Sequence, residues 1–444
     1  MNFPEIVIIV IQFFLSLSIL IILHEAGHFI PAKLFKTRVE KFYLFFDYKI
    51  SLLKKKIGET EYGIGWIPLG GYVKISGMID ESMDTEQLKQ PAQPWEFRSK
   101  PAWQRLIIML GGVIVNFILG IVIYILITFT WGVDYVKSSD VTNGFAVHEM
   151  FKDFGFKDGD KITKFNGDEP LDVTDINKHL FLRGITTLEV LHEDGSVETI
   201  SIPEDIGSLM WTNGVMEPFT PRTEAVIDTV VVDSPAEKAG FLKHDKIISV
   251  NEEPVTYWQE FTNLVLNSKE DQVSVVFERD GIVQNLTISP REDNTIGVSN
   301  SQLRGITIQH KDYSFFESIS IGNSLAVWTL KDYITQFKYV FTKKGATSIG
   351  GFIAIGNIFP STWSWQAFWS ITAFLSIMLG FMNLLPIPAL DGGHVVFTLF
   401  EMITGKKPND KFLEYAQVTG FILLIALLLL ANGNDVVKLL SKFF

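Results

Sequence analysis

Apolar residues in this chain gather into four long blocks, set apart by polar and charged stretches. The blocks are about Ile6–Leu23, Leu106–Trp131, Phe368–Leu385 and Val418–Leu430, the last starting near Phe412. As helices, each is long enough to cross a hydrocarbon layer of ~30 Å. Basic residues cluster in particular loops. Lys33, Lys36, Arg38, Lys41 and Lys54–Lys56 follow the first block, Arg98, Lys100 and Arg105 precede the second, and Lys406, Lys407 and Lys411 lie between the third and fourth. By the positive-inside rule these loops face the cytoplasm, so both termini and the large middle segment face outward. Trp363, Trp365 and Trp369 fit an aromatic belt at the outer end of the third span. The first block carries no Lys or Arg ahead of it and no small-residue cleavage pattern after it, so it reads as a retained span rather than a signal peptide.

The polar stretches have patterns of their own. Thr60, Tyr62, Ile64 and Trp66 alternate with Glu61, Gly63 and Gly65, and Pro68-Leu-Gly-Gly-Tyr-Val-Lys follows. That predicts a hairpin or small sheet within 39–79. Residues 80–103 read as a loop with a short amphipathic helix around Trp95–Trp103 at the interface. The segment 133–310 repeats itself. Gly155-Phe156 matches Gly240-Phe241, Asp160-Lys-Ile matches Asp245-Lys-Ile, Asn166 matches Asn251, Pro170 matches Pro254 after a one-residue slip, and Asp194-Gly195 matches Asp280-Gly281. Two copies of one small β-rich module follow, too few for a solenoid. His244 stands where the first copy has Gly159, and since His accepts positive φ poorly, that turn is expected to differ. The helical spacing of Phe315, Phe316, Ile319, Leu325, Trp328, Tyr333, Phe337 and Phe341 predicts helices on the outer leaflet; a core helix of the second module is the other reading. Gly350-Gly351 and Gly356 are expected to loosen the chain before the third span.

Composition agrees with a membrane protein carrying sizeable polar parts: 47% of the 444 residues are hydrophobic. A net charge of −12 argues against nucleic acid as a partner. There is no cysteine, which removes disulfides, thiolate metal sites and Cys nucleophiles together.

The candidate chemistry sits at the end of the first apolar block. In His24-Glu-Ala-Gly-His28 the two histidines are one helical turn apart on one face, a spacing that lets two nitrogens reach one Zn²⁺. Glu25 falls beside the metal, where a carboxylate can take a proton from water. A hydrolytic zinc site wants a third protein ligand and an open position. The stretch Asn383-Leu-Leu-Pro-Ile-Pro-Ala-Leu-Asp391-Gly-Gly-His394 supplies Asp391 or His394 on the same side of the membrane; Glu40 and Glu61 are weaker candidates. Pro386 and Pro388 prevent a regular helix there, and irregular backbone at membrane depth is tolerated where protein covers it or water enters.

HEAGH at the end of a first span, with NxxPxPxLDG in a later one, resembles the site-2 protease family of intramembrane zinc proteases. Two tandem modules that look like PDZ domains, set between spans two and three, resemble its regulator-of-sigma-E branch. The resemblance covers the whole chain in order. It implies His24, His28 and Asp391 as zinc ligands and Glu25 as catalytic base. It implies that about Gly58 to Ile75, with Gly65, Gly70, Gly71 and Tyr72, forms a membrane-associated β-structure handling substrate, and that Asn383, Pro386 and Pro388 position the substrate backbone. It also implies single-span membrane substrates: an anti-sigma factor already clipped on its outer side, and remnant signal peptides. Many such proteins carry Gly-Pro where this chain has Gly350-Gly351.

The expected fold is therefore an α-helical membrane protein with four transmembrane helices, a small membrane-associated β-structure, and two mixed α/β PDZ domains inserted between the second and third helices. Its expected division is 1–132 (two spans, β-structure, HEAGH), 133–219 and 220–310 (PDZ domains), 311–362 (amphipathic connector at the membrane surface) and 363–444 (two spans, LDG). The expected location is a bacterial inner membrane, with the modules and both termini periplasmic and the active site near the cytoplasmic side. Two rival classes use the same features. One is a non-catalytic membrane scaffold that captures peptides through its modules, disfavoured by the intact HEAGH. The other is a metal transporter, disfavoured by only four spans without a repeat among them.

Overall fold

A computed structural model of the chain describes residues 3–68, 70–78, 90–301 and 305–441. Met1–Gly132 and Asp312–Phe444 form one compact unit, and Val133–Lys311 form another. Among the described residues four helices, all in the first unit, are long and apolar enough to cross a membrane: Phe3–Leu34, Ala102–Trp131, Trp365–Leu384 and Lys411–Leu440. Many of their large apolar side chains, such as Ile11, Ile22, Ile118, Phe129 and Leu429, are exposed. A surface of that kind suits lipid, and a helix satisfies its own backbone there.

The first helix, α1 (Phe3–Leu34), does not stop at the histidine pair but continues ten residues past His24. Pro31 lies inside its final turn and has no N–H for the carbonyl of Gly27. That carbonyl instead faces Gly111 of α2 (Ala102–Trp131), where a side chain on either glycine would collide with the other backbone. The two helices therefore meet backbone to backbone, a contact open only to residues without a Cβ. Farther along, Ser16 bonds Thr372 at 2.9 Å and Gln12 donates to the carbonyl of Pro360 at 2.8 Å. The first of these joins two spans, which gain nothing from the hydrophobic effect in lipid, and the second ties a span to the connection before Trp365.

Between α1 and α2 lies a four-stranded sheet: β1 (Val39–Leu44), β2 (Phe46–Ile57), β3 (Thr60–Ile67) and β4 (Tyr72–Ile75), in the order β2-β3-β1-β4. The β1–β3 pair is parallel and the other two are antiparallel. The glycines alternating along β3 have a packing reason. A Cβ on Gly63 would enter the ring of Tyr43, and one on Gly65 would enter the backbone of Phe45 and Phe46. The helix expected around Trp95–Trp103 does not form: a single 3₁₀ turn spans Phe97–Ser99, and Trp103 already belongs to α2, which starts directly after Pro101. The loop expected from residue 80 lies outside the described residues as far as 89.

After the second unit, α3 (Phe315–Phe337) opens with a capping box in which Ser314 and Glu317 exchange side-chain-to-backbone bonds. It packs on α2 through Gly322 against Ile125, and on α4 (Trp365–Leu384) through Tyr333 and Phe337 against Phe381. It is thus part of the first unit and not a core helix of the second module. Gly350-Gly351 does not loosen the chain. Asp435 of the last helix, α6 (Asp410–Leu440), is buried and accepts the backbone N–H groups of Gly351, Ile353 and Ala354 at 3.0–3.1 Å. Between α4 and α6, α5 spans Asp391–Thr404.

Within the second unit, Val133–Tyr135 pairs antiparallel with Gln309–Lys311, so its two ends lie side by side. The repeated positions do repeated work. Asp160 and Asp245 each accept the backbone N–H three residues earlier, from Lys157 and Leu242, both at 2.8 Å. Asn166 and Asn251 both take positive φ and hold the start of the next strand through Thr187 and Ser274. Gly159 has φ +97° and His244 φ +77°, so the turn expected to differ is left-handed in both copies, with the strain borne by His244. One substitution does change chemistry. In strand register, His192 of the first copy occupies the place of Arg279 in the second; His192 Nδ1 lies 2.6 Å from Asp160, and Arg279 makes two bonds to Asp245.

Candidate metal centre

The histidine pair is buried where α1 meets α2. The His24 and His28 rings stand nearly perpendicular with centroids 4.9 Å apart, and their Nε2 atoms are 3.3 Å from each other. Both Nε2 atoms are also 3.3 Å from Oδ2 of Asp391. Gly112 makes the approach of α2 possible, since a Cβ there would lie 2.7 Å from Cε1 of His24 and 2.8 Å from Cε1 of His28.

Asp391 reaches the pair because the chain breaks after α4. Pro386 and Pro388 fall in the interruption between Leu384 and Asp391, Ala389 takes φ +78°, and its N–H donates to Gln417 of α6. Helix α5 then begins at Asp391 itself. Gly392 and Gly393 allow its first turn to press against the carbonyls of Leu384 and Ile387.

A cavity of about 390 Å³ opens beside this cluster. His24, Glu25, His28, Tyr72, Val73 and Asp391 line it, as do His394 and Gln417. The backbone N–H of Val73, on the edge strand β4, faces the Glu25 carboxylate. Tyr72 is stacked between Tyr43 and Phe46, and its hydroxyl donates to Asp47 at 2.7 Å. Asn383 brings its amide to within 3.3 Å of His24 Nε2, at the cluster rather than along the cavity wall. Gly65 and Gly70 are not among the residues lining the cavity, and Gly71 packs between Ile21 and the carbonyl of Tyr43. Of the candidate third ligands, Asp391 joins the imidazoles; His394 lines the cavity, while Glu40 and Glu61 are bound in the sheet to Ser76 and Tyr43.

The donor set fits a divalent metal. One ligand atom from each of His24, His28 and Asp391 lies within 4.8 Å of the others, and Oδ2 of Asp391 is buried without a hydrogen bond. An acceptor left bare among two imidazole nitrogens is expensive unless a cation fills the gap. Two nitrogens and one carboxylate oxygen are a usual set for catalytic zinc. The side chain that pattern reading passed over is Asn116, fully buried, with Nδ2 3.0 Å from Nδ1 of His24. Its signal was available as a lone amide in the middle of an apolar span.

This is the framework of a membrane-bound metallopeptidase, and comparison with known proteins agrees. The chain belongs to Peptidase family M50, whose model matches residues 12–427. It is 29% identical to the "Regulator of sigma E protease" of Haemophilus influenzae, over 96% of this chain and 98% of that one. It is 28% identical to the "Regulator of sigma-E protease RseP" of Escherichia coli, over 96% and 98%. It is 27% identical to the "Putative zinc metalloprotease NMA0084" of Neisseria meningitidis, over 97% and 99%. The chain is a zinc metalloprotease of the membrane, which decides against the scaffold and the transporter.

Proposed function

We propose that His24, His28 and Asp391 hold the zinc, that Glu25 is the general base, and that the reaction is hydrolysis of peptide bonds within the spans of single-span membrane proteins. The observation that carries this reading is the meeting of three ligand atoms from α1 and α5 around an orphaned carboxylate oxygen, with Glu25 lining the same cavity. Zinc, when bound, supplies the Lewis acidity that activates water and polarises a carbonyl. Glu25 takes the proton of the attacking water and returns it to the leaving amine. A helical substrate hides its carbonyls in i to i+4 bonds and must unwind to be cut. Strand β4 is a sheet edge that faces the cavity, so an unwound segment regains backbone bonds by pairing with it. Tyr72 lies on that edge, and Asn383 meets the substrate backbone beside the metal.

The finer reading follows the relatives' names. Two of them are regulators of sigma E, which suits an anti-sigma factor clipped beforehand, with remnant signal peptides as a second class, in an envelope stress response. The repeated modules at 133–219 and 220–310 are PDZ domains acting as a size filter, and 311–362 connects them to the last two spans at 363–444. The basic loops put the HEAGH end of the first part, 1–132, on the cytoplasmic side of the inner membrane, and the modules on the periplasmic side.

The test is purified protein in detergent with a tagged single-span peptide, with and without chelator. Glu25→Gln should keep zinc and lose roughly 10²-fold or more in cleavage rate. Cleavage near the wild-type rate by the zinc-loaded variant would remove Glu25 from the mechanism.

A further inference from the structure

A neutral imidazole has one N–H, and only the bare nitrogen can bind a metal. For His28 the choice is made by the backbone. Its Nδ1 is 2.8 Å from the carbonyl of Ile108, which can only accept, so Nδ1 carries the proton and Nε2 faces the cluster bare. For His24 the partner is an amide. With Nδ2 of Asn116 placed 3.0 Å from Nδ1, the amide donates, Nδ1 accepts, and the proton sits on Nε2. In that form Nε2–H cannot bind a metal, and it stands 3.3 Å from Nδ2 of Asn383, another donor.

The amide can reverse. Oδ1 of Asn116 is buried and bonds to nothing, so no second contact fixes the orientation. The two ends of an amide exchange places by a half-turn. The backbone around it is held instead: Ser376 of α4 donates to the Asn116 carbonyl at 2.7 Å.

We propose that Asn116 is a positioning residue that sets the tautomer of His24, and the inference rests on the zinc reading above. With the amide turned, Oδ1 accepts from Nδ1–H and Nε2 is free for the ion. With the amide unturned, Nδ2 donates to Nδ1, Nε2 keeps the proton, and His24 is no ligand.

The experiment uses the full-length protein in detergent. Zinc affinity is measured by competition with a chromophoric chelator for wild type, Asn116→Leu, Asn116→Asp and His24→Ala. Nitrogen-15 histidine spectra of the wild type are recorded with and without zinc. Asn116→Leu should weaken zinc binding by about 10- to 100-fold, the usual effect of removing a ligand's outer partner. Asn116→Asp, an acceptor of the same shape, should restore it. The loaded wild type should show both histidines protonated at Nδ1. Wild-type affinity in the Leu variant, equal loss in the Asp variant, or a bare Nδ1 on His24 in the loaded protein would each overturn the proposal. If Asn116→Leu does not fold, the spectra decide alone. Tight binding by His24→Ala would instead remove the ligand reading on which the proposal stands.

Discussion

Gly112→Ala tests how closely α2 presses on the imidazoles proposed to hold the zinc. A methyl there would meet Cε1 of His24 at 2.7 Å and Cε1 of His28 at 2.8 Å, with Nε2 of His28 nearer still. Neither ring can easily yield, because His28 is bonded to Ile108 and His24 lies against Asn116. Retreat of α2 would open its backbone contact at Gly111 with the carbonyl of Gly27. Overpacking of this kind costs about 1–3 kcal/mol. If that cost falls on the geometry that binds zinc, affinity should drop roughly 5- to 150-fold, at tenfold per 1.4 kcal/mol. Alanine also favours helix over glycine by about 1 kcal/mol, but this acts on loaded and empty protein alike and leaves zinc affinity untouched. Gly433→Ala is the control, since a Cβ there meets nothing within 4 Å. Both variants are titrated with zinc against a chelator and assayed for cleavage. Wild-type zinc affinity in Gly112→Ala would refute the claim that α2 sets the positions of the two rings.

Three further outcomes can be checked. Val73→Pro removes an N–H on the β4 edge that faces Glu25, and should slow cleavage about 5- to 10-fold, the worth of one hydrogen bond near 1 kcal/mol, with zinc content unchanged; an unchanged rate would argue against docking on β4. Proline at Ile64 would instead sit inside the sheet, where β3 lies between β2 and β1 and a proline disturbs the fold itself. Deleting about 138–305 leaves the paired ends Val133–Tyr135 and Gln309–Lys311 close enough to join, and should allow cleavage of substrate that keeps its outer domain; intact substrate that stays uncut in a gel assay would end the filter idea. The hydrogen bond to Asp160 holds the His192 pKa above its ordinary 6.5. A raised folded-state pKa gives stability that is complete below pH 6.5 and lost as pH rises through the folded value. Hydrogen exchange at Thr187–Leu191, corrected for intrinsic rates, should therefore speed up on the alkaline side, while Val273–Arg279 beside the Asp245–Arg279 pair should not; equal behaviour of the two strands would contradict it.

Much of the molecule was legible in one dimension because its signals are local. Twenty apolar residues define a span by length alone, and i, i+4 histidines share a face wherever the helix goes. The repeated Asp and Asn positions likewise record turns closed within a few residues, at Lys157–Asp160 and Leu242–Asp245. The sequence determined the four apolar helices, the position of the HEAGH pair on the first of them, the sheet between 39 and 79, and the duplicated segment. Tertiary structure decided what depends on meetings between distant residues. Composition could not choose between Asp391 and His394, three residues apart; the kink at Ala389 and the start of α5 turn the carboxylate, not the imidazole, onto Nε2 of both histidines. Nor could periodicity show that Gly350-Gly351 is gripped by Asp435, more than eighty residues away, or that Asn116 stands against His24. Helix periodicity fixes which face a residue occupies, whereas contact with a second helix depends on the small residues that let two backbones approach, and only the folded chain brings those together.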